Sequence, residues 1–353
     1  MENMIQSACL SEELARYLES AFDLSAIDQD MVLPLPDEPF VAIWERWADE
    51  ARQRGAFAVL SENLPQLRFP IREGISKSDD YRAATLRGVD PDELPGATGL
   101  EIERPEAIEL EIHPSPAGRI PVLLIRGRAE LAALVRALAK RNEPVPVPDS
   151  QGALMVGGFN NWARIRELRS RGEDVTADTP KELYQDRFIL LSDGPYSAVP
   201  AADLGLGEQE WKEISLAIRR DHECAHYFTR RLLGSMRNHA HDELIADWAG
   251  LTAATGRFRA DWFLRFLGLE DYPRYRPGGR LDLYRGDLSD EAFSALQGLI
   301  RSAAVNLEPF RAETLEDRAR MLTALASLRL DELASPEGGA LLQKALSTVN
   351  WRS

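Results

Sequence analysis

Three observations in the sequence predict an α+β fold. Strand-like segments are confined to residues 106–200. From Glu208 the pattern is helical almost to the C-terminus, with one interruption near Pro273 to Gly286. Hydrophobic residues make up 44% of the 353 and charged residues 28%, a balance that supports a packed core and argues against wholesale disorder.

Residues 11–23 have helical spacing, with Ser11 as the N-cap and acids in the first turn. Residues 37–54 set Phe40, Ile43, Trp44 and Trp47 at helical spacing, and Gly55 stops the run. Residues 65–105 are rich in Pro, Gly and Asp, which predicts loops and short strands. From Ala107 to His113 the residues alternate. Ile108, Leu110 and Ile112 take one face and Glu109 and Glu111 the other, as in a half-buried strand. Ile120 to Arg126 reads as a second strand. Pro114-Ser115-Pro116-Ala117-Gly118 joins the two as a hairpin loop, so antiparallel pairing is expected.

Ala129 to Arg141 reads as a short amphipathic helix. The run Pro144-Val145-Pro146-Val147-Pro148 is stiff and extended, the best linker candidate in the chain. An apolar stretch, Ala153 to Val156, meets a break at Gly157-Gly158. A helix from Trp162 to Arg171 follows, then a strand at Phe188 to Leu191 and another at Tyr196 to Val199. The expected divisions are an N-terminal helical and irregular region (1–105), a central domain (106–310, with its sheet in 106–200) and C-terminal helices (311–353).

With 42 Lys+Arg against 57 Asp+Glu, the net charge is -15 and the pI about 5.0. Nucleic-acid partners are not expected, because they need a basic surface to displace counterions. The same acidic balance argues against a polybasic attachment to anionic membrane. No run approaches the roughly 18–20 apolar residues of a membrane span. The N-terminus lacks the basic and apolar regions of a secretory signal. The two cysteines, Cys9 and Cys224, cannot form a disulfide framework, and a cytoplasmic setting is expected.

The chemistry is concentrated in His222-Glu223-Cys224-Ala225-His226, an HExxH. A helix makes residues four apart close neighbours on one face. Glu208 to Leu233 contains no Pro or Gly, and Gly207 and Gly234 bracket it. Trp211, Ile214, Ile218, Ala225 and Leu232 share one face of that helix, and His222 and His226 fall on it or at its edge. Two inward imidazoles four apart suit a bound Zn²⁺. Glu223, slightly off that axis, is placed to take a proton from an attacking water without ligating the metal.

The next helix is expected to open at His239-Ala240-His241-Asp242-Glu243. Glu243 and Asp247 share a face. Glu243 can supply the third protein ligand, and Asp247 can hold the other ring nitrogen of a ligating histidine. Gly234 lets the chain reverse between the two helices. His239 and His241 flank Glu243 as an alternative ligand or an electrophile, or as surface or capping histidines. Asp242 reads as N-terminal-turn charge. Cys224 rotates away from the histidine pair and reads as a buried thiol, and His113 as structural.

HExxH followed by ExxxD on the next helix resembles the gluzincins, the thermolysin-like zinc metallopeptidases. The resemblance covers about residues 208–250. It implies a zincin-like catalytic domain with a mixed or antiparallel sheet. It further implies His222, His226 and Glu243 as zinc ligands, Glu223 as general base and Asp247 behind a ligating histidine. The interval from His226 to Glu243 holds 16 residues, fewer than in thermolysin, and no histidine follows His241. Thr229 and Leu232 stand where a metzincin has its Gly and third His.

Gluzincins also supply an oxyanion donor downstream, for which Arg237, Tyr272, Tyr275 and Tyr284 are candidates. They present an edge strand upstream that pairs with an extended substrate, a part Phe188 to Val199 could take. Asn160-Asn161-Trp162 reads either as a functional loop or as a helix cap. The expected function is a zinc-dependent hydrolase acting on a peptide or small amide. The competing expectations are a non-proteolytic reaction on a small molecule at the same site, and a non-enzymatic protein with structural zinc.

Overall fold

The computed structural model describes residues 12–19, 22, 32–176, 178–234 and 239–348, without the side chain of His239. Cys9, Ser11 and Arg237 lie outside the described residues. Helix α1 spans 12–18, and the remainder of the helix expected over 11–23 falls largely outside the description.

The chain divides into two compact units. The first comprises the described residues of Met1–Pro36, Ser115–Ala117 and Gly194–Ser353, and the second Asp37–Pro114 and Gly118–Asp193. These divisions do not coincide with the expected ones at 105/106 and 310/311. Residues 37–105 join the sheet because the helices there pack on it. The C-terminal helices join the motif helices for the same reason.

The second unit holds the sheet. Strands β1 (Ile108–His113) and β2 (Ile120–Ile125) pair antiparallel, with Ile108 opposite Ile125. Strand β3 is Ala153–Asn160 and β4 is Gln185–Ser192. The order is β1-β2-β4-β3, with β2 and β4 parallel and β3 and β4 antiparallel, so the sheet is mixed. Every residue of β2 is buried, as its apolar run requires.

Helices α2 (Val41–Arg54), α3 (Ala56–Asn63) and α5 (Arg128–Ala139) pack against this sheet. Phe40, Trp44, Trp47, Leu123, Leu134 and Phe188 belong to their common core. Helix α4 (Asp79–Arg87) and α6 (Trp162–Ser170) complete the unit.

Several expectations change here. Residues 65–105 form no strand. Instead α4 starts at Ser78, whose side chain accepts from the Tyr81 backbone N–H, and stops at Gly88. The proline run at 144–148 is no linker: it lies inside the unit, and the carbonyls of Val145, Val147 and Pro148 accept from Arg136 and Arg128. The break at Gly157-Gly158 is a bulge within β3. Gly158 takes φ +80 there and pairing resumes at Phe159.

Strand β4 is internal, paired on both sides. Its backbone groups are committed, so Phe188 to Val199 offers no free edge to a substrate. Tyr196–Ala198 is a 3₁₀ turn, not a strand. Asn161 caps α6 and donates to the buried Asp186, which also accepts from Trp44 and Arg164. The capping reading of that loop therefore holds.

The first unit is helical. It contains α7 (Glu208–Leu233), α8 (His239–Thr255), α9 (Ala260–Leu267), α10 (Asp290–Leu307), α11 (Leu315–Ala326), α12 (Leu330–Ala334) and α13 (Gly338–Thr348). A turn at Arg280–Tyr284 fills the expected interruption. Among the described residues, no helix is long and apolar enough to cross a membrane.

Candidate metal centre

Helix α7 runs unbroken between Gly207 and Gly234, and Gly234 ends it at φ +78. Glu208 and Glu210 open it and Arg230 and Arg231 close it, complementing its dipole. Trp211, Ile218, Ala225 and Leu232 are buried, and His222 is buried with them.

Helix α8 returns antiparallel along α7, as three contacts show. Asp242 meets His226, Asp247 meets His222, and Gly250 meets Ile218. A Cβ at Gly250 would come 2.4 Å from the Ile218 carbonyl oxygen, so only glycine permits this approach.

The approach brings three ligand groups together. His222 Nε2 and His226 Nε2 are 3.1 Å apart. Glu243 Oε2 lies 3.4 Å from His222 Nε2, and Oε1 lies 3.6 Å from His226 Nε2. One donor atom from each of these residues lies within 4.8 Å of the others, a grouping able to hold a metal ion.

Behind these atoms each imidazole is held through Nδ1. His222 Nδ1 lies 2.8 Å from Asp247 Oδ1, and His226 Nδ1 lies 3.1 Å from Asp242 Oδ2. Carboxylates only accept, so in the neutral rings both Nδ1 atoms carry the proton. With both rings neutral the two Nε2 lone pairs would face each other at 3.1 Å, a repulsion that either a proton on one ring or a metal ion between them relieves. Asp242, Glu243 and Asp247 set three carboxylates around the histidine pair and Arg280, so the group favours positive charge there, as a proton on His226 or as a bound cation.

The local fields follow the same geometry. Burial lowers the His226 pKa, but hydrogen bonds to Asp242 and Glu243 outweigh it and raise the group well above the ordinary histidine value. Burial raises Glu243, but the imidazoles of His222 and His226 outweigh it and hold the carboxyl far below its usual range.

Asp247 receives two further hydrogen bonds. Tyr196 donates its hydroxyl to Oδ1 and Arg280 Nη2 donates to Oδ2, while Arg280 Nη1 donates to the Tyr196 oxygen at 2.8 Å. Burial pushes the Tyr196 phenol well up, and it stays protonated.

Glu223 is half-buried and stands outside the three-atom cluster. Asp242 is more than first-turn charge, since it holds His226. His241 is buried against Phe22 and is not in the cluster, and burial lowers its pKa to about 4. Cys224 is fully buried and its thiol is pushed well up. Burial pushes the Tyr284 phenol strongly up, and the negative charge of Glu243 adds to the rise. Tyr275 donates to the Gly279 carbonyl, and Tyr272 lines a cleft with Trp262 and Arg301.

Sequence reading did not single out Arg280, and took Tyr196 only as part of a strand. Neither carries a local pattern that ties it to an HExxH. Asp242 was legible in principle, because an acid one residue before Glu243 shares the turn that faces His226.

No curated protein and no solved structure matches the chain. Residues 1–337 match a family described as a family of unknown function (DUF7005), and the chain belongs to that family.

Proposed function

We propose that the protein is a zinc-dependent hydrolase with a gluzincin-like site that cleaves a peptide or amide bond. The observation that carries the reading is the meeting of His222, His226 and Glu243, with a carboxylate behind each histidine. Two imidazoles and one carboxylate form a borderline donor set that suits Zn²⁺ better than Mg²⁺ or Ca²⁺. When bound, Zn²⁺ would polarise a scissile carbonyl and lower the pKa of water.

The chain's own residues divide the remaining work. His222 and His226 bind through Nε2, with their Nδ1 protons held by Asp247 and Asp242. Glu223 follows His222 on α7 and is not needed as a ligand. Its carboxylate takes the proton of the attacking water and passes it to the leaving amine. Tyr284, kept protonated beside Glu243, is the candidate donor to the developing oxyanion. A zincin-like domain is part of this proposal.

The test is hydrolysis of a mixture of blocked peptides and simple amides by the zinc-loaded protein, read as new amine. Glu223→Gln should keep its zinc and lose about 10²-fold or more of the rate. Equal rates in the two proteins, or no new amine from either, would sink the proposal.

A further inference from the structure

We infer that Tyr196 and Arg280 are positioning residues of the proposed metal centre: they fix Asp247, and through it the imidazole of His222. The inference rests on that centre holding a metal.

Asp247 is fully buried, and both its oxygens are committed. Oδ1 accepts from Tyr196 and from His222 Nδ1, and Oδ2 accepts from Arg280. Arg280 spans the arrangement. Its Nη1 reaches both the Tyr196 oxygen and Ser197 Oγ, at 2.8 and 3.0 Å. A carboxylate held on one side only could rock about its χ2 torsion and carry the histidine with it. Held at both oxygens, it presents Oδ1 in one place, and the His222 ring is set with Nε2 toward His226 and Glu243.

Tyr196 is itself held to an unusual degree. Its backbone N–H donates to Ser215 Oγ at 3.0 Å. Its ring packs on Phe266 at 5.1 Å, with the Arg219 guanidinium 5.7 Å from the ring centre. Arg219 also donates to the carbonyls of Gly194 and Pro195 just before it. The next two residues, Ser197 and Ala198, both take positive φ, +52° and +56°. Two consecutive non-glycine residues in that region are costly, and such strain persists only where surrounding contacts over-determine it. Here those contacts converge on the placement of one phenol hydroxyl.

The oxygen of Tyr196 lies 2.9 Å from His222 Nδ1 as well. The phenol gives its one proton to Asp247, so toward Nδ1 it offers only lone pairs. Both neighbours of Nδ1 are acceptors, which fixes the tautomer with the lone pair on Nε2.

The test uses two charge-conserving variants of the full chain, Tyr196→Phe and Arg280→Lys. Phe keeps the ring packing and removes the hydroxyl, and Lys keeps the charge and removes the fork. Zinc affinity is measured by chelator competition, the visible spectrum with Co²⁺ in place of zinc, and thermal unfolding on the metal-free proteins. Expected are an affinity loss of about 10-fold or more in each variant, the scale of partners behind a ligand, and a shifted Co²⁺ band. The metal-free melting temperature of Tyr196→Phe should stay close to that of the parent. Parental affinity and an unchanged Co²⁺ band in Tyr196→Phe would overturn the inference while leaving the hydrolase reading intact. A parent protein that takes up no zinc would overturn both.

Discussion

Asp242 and Glu243, adjacent on α8, reach different atoms of one imidazole: Asp242 Oδ2 lies 3.1 Å from His226 Nδ1, and Glu243 Oε1 lies 3.6 Å from Nε2. One turn of helix thus supplies both a candidate ligand and the group that orients the ring beside it.

Purified protein is expected to bind about one zinc per chain. His222→Ala and His226→Ala should each lose it, measured by metal analysis after dialysis. Chelation of the parent should lower its melting temperature, because a ligand bound only by the folded state stabilises it by mass action. Full zinc retention in both histidine variants would end the metal reading.

Ligand and supporting carboxylates should separate by magnitude. Glu243→Ala is expected to lose zinc to a weak chelator. Asp242→Ala and Asp247→Ala should each weaken it by about 10–100-fold, as for groups behind a ligand. His241→Ala, which removes a buried ring outside the cluster, should melt earlier yet bind zinc as the parent does. Zinc loss in His241→Ala with retention in Glu243→Ala would point to a different ligand set.

Zinc uptake near neutral pH should release about one proton, because ligation displaces the proton that His226 holds in the metal-free protein. Calorimetry in buffers of different ionisation enthalpy measures it. The sign for metal-free stability is set by the raised pKa of His226. Its contribution is complete below the unfolded histidine value of about 6.5 and is lost as pH rises through the higher folded value. A metal-free melting temperature that climbs steadily with pH above 7 would contradict this.

Gly250→Ala should disturb the site from a distance. Its new methyl meets the Ile218 carbonyl, which is backbone and cannot turn aside, so α8 must shift from α7. A stability loss of about 1–3 kcal/mol is expected, typical of overpacking, together with weaker zinc binding. Wild-type affinity in this variant would mean that the two helices need not approach so closely.

Much of the site was legible because its geometry is local. His222 and His226 share a face whenever α7 is helical. That helix follows from an uninterrupted stretch between two glycines, with Trp211, Ile218 and Leu232 in phase. Glu243 and Asp247 share a face of α8 for the same reason. The antiparallel pairing of β1 with β2 was legible from alternation and a short proline-rich loop.

Other features depend on which distant segments meet, and no local periodicity encodes that. Strand β4 reads as a strand anywhere, but only the assembled sheet puts it between β2 and β3, where it is internal and not an edge. Gly157-Gly158 looks like a stop, yet pairing to β4 compensates the strand and makes it a bulge. Tyr196 precedes the motif helix in a strained turn and Arg280 follows α9. Only the packing of the first unit brings both onto Asp247. The sequence determined by itself that two imidazoles and a carboxylate would face inward, since helical phase is a short-range property. The tertiary structure decided what stands behind them, since a buried carboxylate is satisfied by whichever donors the fold delivers.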